Sequence, residues 1–381
     1  MRESPGNLRI VHIIYDDCDN PWLGGGGARR TLEIYRRFPS HCEITVLTGF
    51  YKGALRSERV GNILYRRLGL PFSYLVSRVT FALCVPFQLL GLHYDVVVED
   101  YSAFSPCFSF FFTRKPVIGS FQNLHSRKAA RGKGFFKALG AGLFDAMALR
   151  FFRDITAVSP DLTDIIKQKA RFKSNIRFIG VGIDHALFGI DRSSAATAPT
   201  ILYIGRLEIH QKGIDTLLQA FALLSPRPKL VFAGTGADAA LVEEMVRKMG
   251  LQDDVRFAGR FANEDKAGFL KNAALVVMPS RFEGYPVVPL EAMAAGCAFI
   301  GTDIPGTADV TGGCAPLVPV GNVNELAAVM QRVLTDADFR HALEIKGREH
   351  SRSFEWDSIA KQFYEFIQHS IDLSGPGQKR H

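Results

Sequence analysis

The sequence predicts an α/β protein made of two doubly wound parallel sheets, one following the other along the chain and facing a deep cleft. Three observations predict it. Short runs rich in Ile, Val and Leu recur between segments of helical length, which is the pattern of buried parallel strands joined by crossover helices. The rhythm restarts at Thr200, after the low-complexity stretch Ser193–Pro199, which reads as a linker. The 381 residues exceed one ordinary core and suit two domains of roughly 180 residues each.

In the first half, Leu8–Tyr15 (LRIVHIIY) reads as a buried strand. Gly24–Gly27 follow as a loop, and Ala28–Phe38 as a helix. Glu43–Leu47, Tyr94–Glu99, Pro116–Ser120 and Ile155–Val158 are further strands. In the second half, Ile201–Ile204, Leu230–Ala233, Val255–Ala258, Leu275–Met278 and Ala298–Gly301 are strands. The helices between them include Asp215–Leu224, with Leu217, Leu218, Phe221 and Leu224 on one face, Ala237–Met249 and Pro289–Ala295. Trp356–Leu373 is an amphipathic helix and Ser374–His381 a frayed tail. The expected division is residues 1–185, 200–355 and a closing helix over 356–373.

Composition narrows the function classes. The chain is 47% hydrophobic and 22% charged, hence globular. Its six cysteines form no CxxC pair, which argues against a disulfide framework or a zinc site and for a reducing compartment. A net charge of +8 favours anionic partners, and no nucleic-acid motif accompanies it. The N-terminus shows no secretory signal. The most apolar stretch, Leu68–Leu92, is interrupted by Pro71, Arg78 and Pro86, so no spanning helix is expected there. Arg127, Lys128, Arg131, Lys133 and Lys137 interleave with Phe135 and Phe136. They read either as a solvated helix face or as a segment lying on an anionic membrane.

Three constellations carry chemistry. Gly24–Gly27 lie between a strand and a helix. There, backbone amides can approach a phosphate, although the spacing is not that of a P-loop and a plain flexible loop fits as well. Arg206 and Lys212 follow a strand ending at the carboxyl edge of a sheet, where open α/β sheets bind ligands. An Arg fork and a mobile Lys can neutralise a departing diphosphate, or they are surface charges flanking a helix start. Glu283 and Glu291 stand eight residues apart across a strand-to-helix turn. Each can accept hydrogen bonds from vicinal hydroxyls, or Glu291 merely stabilises a helix N-terminus.

Taken together, several motifs resemble one family. They are Gly205-Arg206-Leu207, Lys212-Gly213, Ala233-Gly234-Thr235-Gly236, Pro279-Ser280, Glu283-Gly284-Tyr285-Pro286 and Leu290-Glu291-Ala292. They resemble the retaining glycosyltransferases of family 4, which have the GT-B fold of two Rossmann-like domains and a Glu-x7-Glu signature. The resemblance is dense over about 155–320 and sparse before it. It implies that Arg206 and Lys212 hold the donor diphosphate, that Glu283 sits beside the donor sugar and that Glu291 binds the ribose. Gly25, Gly26, Gly27, Gly205, Gly234, Gly284, Tyr285 and Pro286 would complete the donor site, with no metal and no cofactor. Many members place a His after the strand at Val117-Ile118. This chain has Gln122 there, with His125 three residues on, and the acceptor-side role stays open between them. Asp309 stands where the family often has Glu.

The expected protein is therefore a cytoplasmic hexosyltransferase, peripheral to the inner face of the plasma membrane. It moves a sugar from a UDP- or GDP-linked donor to a hydroxyl of a glycan or lipid-linked acceptor in capsule, exopolysaccharide or lipopolysaccharide assembly. A nucleotide-sugar epimerase on the same scaffold and a catalytically silent binding subunit are the alternatives. Donor sugar, base and acceptor are not readable from these motifs.

Overall fold

A computed structural model of the chain describes residues 7–22, 25–102, 106–122, 124, 135–170, 175–192, 199–261 and 265–373, with only the backbone for 135–141. Gly24, His125, the basic positions 127, 128, 131 and 133, the side chains at 135–137, most of the expected linker and the tail lie outside the described residues. The chain divides into two compact units. Unit 1 is Met1–Gly182 with Trp356–His381, and unit 2 is Ile183–Glu355.

Unit 1 holds β1 (Leu8–Ile13), α1 (Gly26–Tyr35), β2 (Cys42–Gly49), β3 (Ser57–Val60), β4 (Ile63–Leu68), α2 (Tyr74–Gly91), β5 (Val96–Asp100), β6 (Val117–Phe121), α3 (Phe135–Phe151), β7 (Asp154–Ala157), α4 (Pro160–Lys169) and β8 (Asn175–Phe178). The strands order as β3-β4-β2-β1-β5-β6-β7-β8. All neighbours are parallel except the edge hairpin β3–β4. Ile10 stands level with Ile44 and Val96, so side chains of matching parity form one continuous face. That face (Ile10, Ile44, Val96, Val98, Ile118) is covered by α1 and by the last helix, Trp356–Asp372, through Ile34, Tyr35, Phe363 and Phe366. The opposite face (Val11, Ile13, Leu47, Val97) is covered by α2 through Phe81, Val85 and Leu89.

The buried Arg30 ties α1 to the end of this unit. Its guanidinium donates to the carbonyls of Ile179 (3.0 Å) and Gly180 (3.1 Å) and lies 5.5 Å from the Phe363 ring. A buried cation is tolerated only with such partners.

The expectation of an interrupted Leu68–Leu92 segment is corrected. α2 runs unbroken through Arg78 and Pro86, and among the described residues it alone is long and apolar enough to cross a membrane. Its start is set by Ser73, whose Oγ accepts from the Val76 amide. Arg78 turns inward and bonds Tyr74 Oη (2.7 Å) and Ser102 Oγ (2.8 Å), so its charge does not end the helix.

Unit 2 holds β9 (Thr200–Ile204), α5 (Ile209–Lys212), α6 (Ile214–Ala222), β10 (Lys229–Ala233), α7 (Ala239–Lys248), β11 (Val255–Gly259), α8 (Lys266–Asn272), β12 (Leu275–Met278), α9 (Val288–Ala294), β13 (Ala298–Thr302), α10 (Pro305–Thr311), β14 (Leu317–Val318), α11 (Val323–Thr335) and α12 (Ala337–Ser351). Its sheet is all parallel, ordered β11-β10-β9-β12-β13-β14. Alternation along β9 splits the core. Ile201 and Tyr203 pack with Leu217, Leu218 and Phe221 of α6, whereas Leu202 and Ile204 pack with Val276, Met278 and Leu290. The order places β9 between β10 and β12, so the carboxyl ends of these three central strands lie side by side. Each unit is thus a doubly wound α/β layer.

Candidate functional site

Three loops leave the carboxyl edge of the unit 2 sheet: Gly205–Glu208 after β9, Gly234–Gly236 after β10 and Pro279–Pro286 after β12. They are laced together by backbone. The Gly205 amide donates to Ala233 O and the Leu207 amide to Thr235 O. Gly234, at φ +141°, lies so close to the Gly205 carbonyl that a side chain there would run into it.

Lys212 ends the short α5, and its position is set by stapling to the β12 loop. Arg281 donates to Ile209 O (2.7 Å) and pairs with Asp215 (2.7 Å), its amide donates to Gln211 O (2.8 Å), and the Gln211 side chain reaches Phe282 O. Gly213, at φ +64°, caps α5, and its Cα faces the Pro279 carbonyl with no room for a Cβ. Lys212 Nζ consequently stands 2.6 Å from Glu283 Oε1, and Ser280 Oγ donates to the same oxygen at 2.7 Å. Both charged side chains are mostly buried, at 15% and 9% exposure. Ser280 is itself held by the Thr302 hydroxyl, which donates to its carbonyl from the end of β13.

Arg206 differs. Its side chain is 62% exposed and reaches Glu208 (2.5 Å) and Gln211, while Tyr203 Oη donates to its carbonyl. It is a solvent-facing cation on a fixed backbone. Glu291 lies in the first turn of α9, with Oε1 2.6 Å from Lys266 Nζ at the start of α8. Tyr285 packs on the core beside α9, Pro286 is buried and Gly284 is exposed. The structure therefore brings Lys212 and Glu283 into contact and gives Glu291 a cationic partner of its own. Lys266 and Arg281 were not legible as site residues, and Ser280 stood in the Pro279-Ser280 motif without a role of its own. Lys266 is distant in sequence and lies in no motif, whereas Ser280 and Arg281 sit within the Pro279–Pro286 turn.

In unit 1, Gly25 precedes α1 as its N-cap, and Gly26 and Gly27 form its first turn, which holds no acidic residue. The Asp16 carboxylate stands against this turn: Cβ atoms added at Gly25 and Gly27 would meet Asp16 Oδ2 at 3.2 and 3.4 Å. Burial, followed by the charge of Asp100, pushes the Asp16 carboxyl up to about 7. Asp100 ends β5. Burial pushes it up as well, but the His12 ring, Arg30 and Ser120 outweigh that and hold it below the ordinary carboxylate range. Gln122 donates to Asp100 Oδ2 at 3.4 Å, and His12 Nε2 lies 3.7 Å from Oδ1. Sequence reading reached Gln122 but missed Asp16 and Asp100, whose only signal was a carboxylate at or just past a strand end. A carboxyl raised to about 7 beside the glycine turn can both donate to and accept from a hydroxyl.

A hollow of about 650 Å³ lined by Arg192, Arg340 and Arg348 also belongs to unit 2. Pro199 and Ala274 on its wall precede their strands, so it opens at the amino-terminal edge and is not part of this site.

The chain matches two family models: Glycosyltransferase Family 4 over residues 24–187 and Glycosyl transferases group 1 over residues 191–350. It is 32% identical over 209 residues to the D-inositol 3-phosphate glycosyltransferase of Jonesia denitrificans, covering 49% of each chain. The chain spans about half the length of the curated relatives it matches. Among solved structures, sucrose-phosphate synthase from Thermosynechococcus elongatus superposes with a TM-score of 0.79 at 20% identity, over 96% of this chain and all of that one. Anabaena HepE in complex with UDP-glucose gives 0.73 at 17% identity, over 95% of this chain and all of that one.

Proposed function

Since the chain belongs to the family 4-like glycosyltransferases of the GT-B fold, we propose that it transfers a sugar from a nucleotide diphosphate donor to a hydroxyl of a glycan or lipid-linked acceptor, with retention at the anomeric carbon. The observation that carries this reading is the Lys212–Glu283 pair, held beside Arg206 and the Lys266–Glu291 pair at one carboxyl edge.

In this reading the bond between the anomeric carbon and the diphosphate oxygen breaks as the acceptor oxygen attacks the same face of the sugar. The acceptor proton passes to the departing diphosphate. Arg206, exposed and able to fork, and Lys212, mostly buried, take up the leaving group's charge, so the reading calls for no metal. Glu283 then trades part of its bond with Lys212 for hydroxyls of the donor sugar. Glu291 accepts from the ribose, with Lys266 holding its orientation.

The UDP-glucose complex of the HepE neighbour supports a UDP-sugar donor, and synthesis of a surface polysaccharide on the cytoplasmic side of the membrane is the setting we infer. The test is calorimetric titration with UDP and GDP, followed by transfer from the nucleotide sugars that raise the melting temperature. NMR of the product reads the anomeric configuration. The proposal fails if neither nucleotide binds at millimolar concentration, and an inverted product removes the retaining assignment. A UDP-sugar isomer formed without acceptor would favour the epimerase instead.

A further inference from the structure

α2 is apolar on both sides, and only one side is used. Phe81, Val85 and Leu89 pack on the sheet, with Ser77 and Arg78 buried beside them. On the other side Phe72, just before the helix, and Leu75, Val79, Leu83, Phe87 and Leu90 are exposed at 79, 69, 49, 64, 74 and 77%. Their spacing of three or four residues makes a single ridge along the whole element, about 27 Å long at 1.5 Å per residue. A continuous apolar patch of this extent marks an interaction surface.

The segment that carries the ridge holds only positive formal charges. From Arg59 to Tyr94 the chain holds no Asp or Glu. Arg56 donates to Gly69 O (2.9 Å), which fixes a cation near the amino end of the ridge, and Arg66 reaches Gln88 Oε1 near the carboxyl end. The same side of the sheet presents a second apolar knob. Val117 packs against both the α2 cluster and the neighbouring cluster that contains Phe108 and Phe110. The turn after β5 exposes Phe111 and Phe112 at 56 and 45%, followed by exposed Arg114 and Lys115. That turn is held from below by the buried Glu99, which accepts from the amides of Cys107, Phe108 and Ser109 and from the Ser109 hydroxyl. Phe108 is the one non-glycine residue with positive φ (+46°) among the described residues, a strained conformation kept by this anchoring.

We propose that this face of unit 1 docks on an anionic lipid bilayer, with the α2 ridge lying in the interface and Arg56 and Arg66 at headgroup level. A spanning role is inconsistent with the inner side of α2, which is committed to the sheet. A second copy docking ridge to ridge about a two-fold axis would set these cations against their own counterparts, a repulsion that an anionic surface converts into attraction. The inference does not depend on which sugar is moved.

The experiment is flotation of the full chain with phosphatidylcholine vesicles, with and without phosphatidylglycerol. Wild type is expected to float with the anionic vesicles at low salt and to be released as salt rises. The combined Leu83→Glu and Phe87→Glu variant should float at least about tenfold less, while its circular dichroism melt and nucleotide binding match wild type, since both positions are exposed. In Phe87→Trp, the emission added to that of Trp22 and Trp356 should shift to the blue with anionic vesicles. Absence of flotation at low salt, equal flotation of the double variant, or an unshifted added emission each overturns the proposal. Concentration-dependent dimers abolished by the double variant, without vesicle binding, would assign the ridge to a second copy. Loss of sugar transfer to a soluble acceptor would bear on the enzymatic reading and leave flotation unchanged.

Discussion

Lys212 Nζ and Glu283 Oε1 stand 2.6 Å apart, 71 residues apart in sequence, with Ser280 donating to the same carboxylate oxygen. The cation expected to meet a diphosphate and the acid expected to meet a sugar thus share one contact, which the donor proposed above would enter by rearranging. Lys212→Ala is expected to lower kcat by about 10²–10³-fold, the usual cost of removing one donor to developing oxyanion charge. A kcat within twofold of wild type in single-turnover assays would remove Lys212 from the reaction.

Gly213 supports this contact sterically. Gly213→Ala must adopt φ near +64° and also push its methyl into the Pro279 carbonyl, whereas Gly250→Ala has nearly the same φ (+67°) and nothing within 4 Å. Gly250→Ala should cost about 1 kcal/mol and Gly213→Ala at least ~2 kcal/mol more, read from urea midpoints. Equal costs would show that the α5 turn yields without strain.

Glu291 and its partner Lys266 should act through the nucleotide. Glu291→Gln is expected to weaken UDP or GDP binding by about 1.5–3 kcal/mol, the range for a hydrogen bond to a charged group. The same variant should bind the 2′,3′-dideoxy nucleotide no worse than wild type does. Calorimetry on the four combinations decides it, and an equal loss with both nucleotides would deny a ribose contact.

Asp16 sets a pH dependence. Its carboxyl, raised to about 7 from an ordinary 3.8, favours the protonated form in the folded state. Its contribution is therefore fully present below about pH 4 and is lost as pH rises through about 7. At ~1.4 kcal/mol per pKa unit the loss is at most roughly 4 kcal/mol. Asp100, held low, acts with the opposite sign and at more acid pH, where its contribution is lost as pH falls. Asp16→Asn should flatten the decline in stability between pH 5 and 8, measured by urea unfolding. A decline as steep as wild type would locate the titration elsewhere.

Much of the architecture was legible because buried parallel strands are apolar on both faces and leave continuous runs such as Ile201–Ile204, Leu230–Ala233 and Leu275–Met278. The edge hairpin of β3 and β4 was not, because Ser57–Val60 is largely exposed and carries no apolar periodicity. α2 was misjudged because Arg78 and Pro86 count against a helix in isolation, and only the inward partners of Arg78 and the packing of Phe81, Val85 and Leu89 show that they do not break it.

The same division holds for the site. Residue type and local spacing are properties of the chain, so the sequence by itself determined that Arg206 and Glu283 lie in loops leaving strands and that Lys212 and Glu291 lie in the helical turns that follow. Which charge meets which is a property of strand order. Placing β9 between β10 and β12 brings Lys212 to Glu283 in unit 2, and setting β1 beside β5 brings Asp16 near Asp100 in unit 1. These contacts join residues far apart along the chain, and Coulomb and hydrogen-bond energies depend on distance in space, which only the folded sheet supplies.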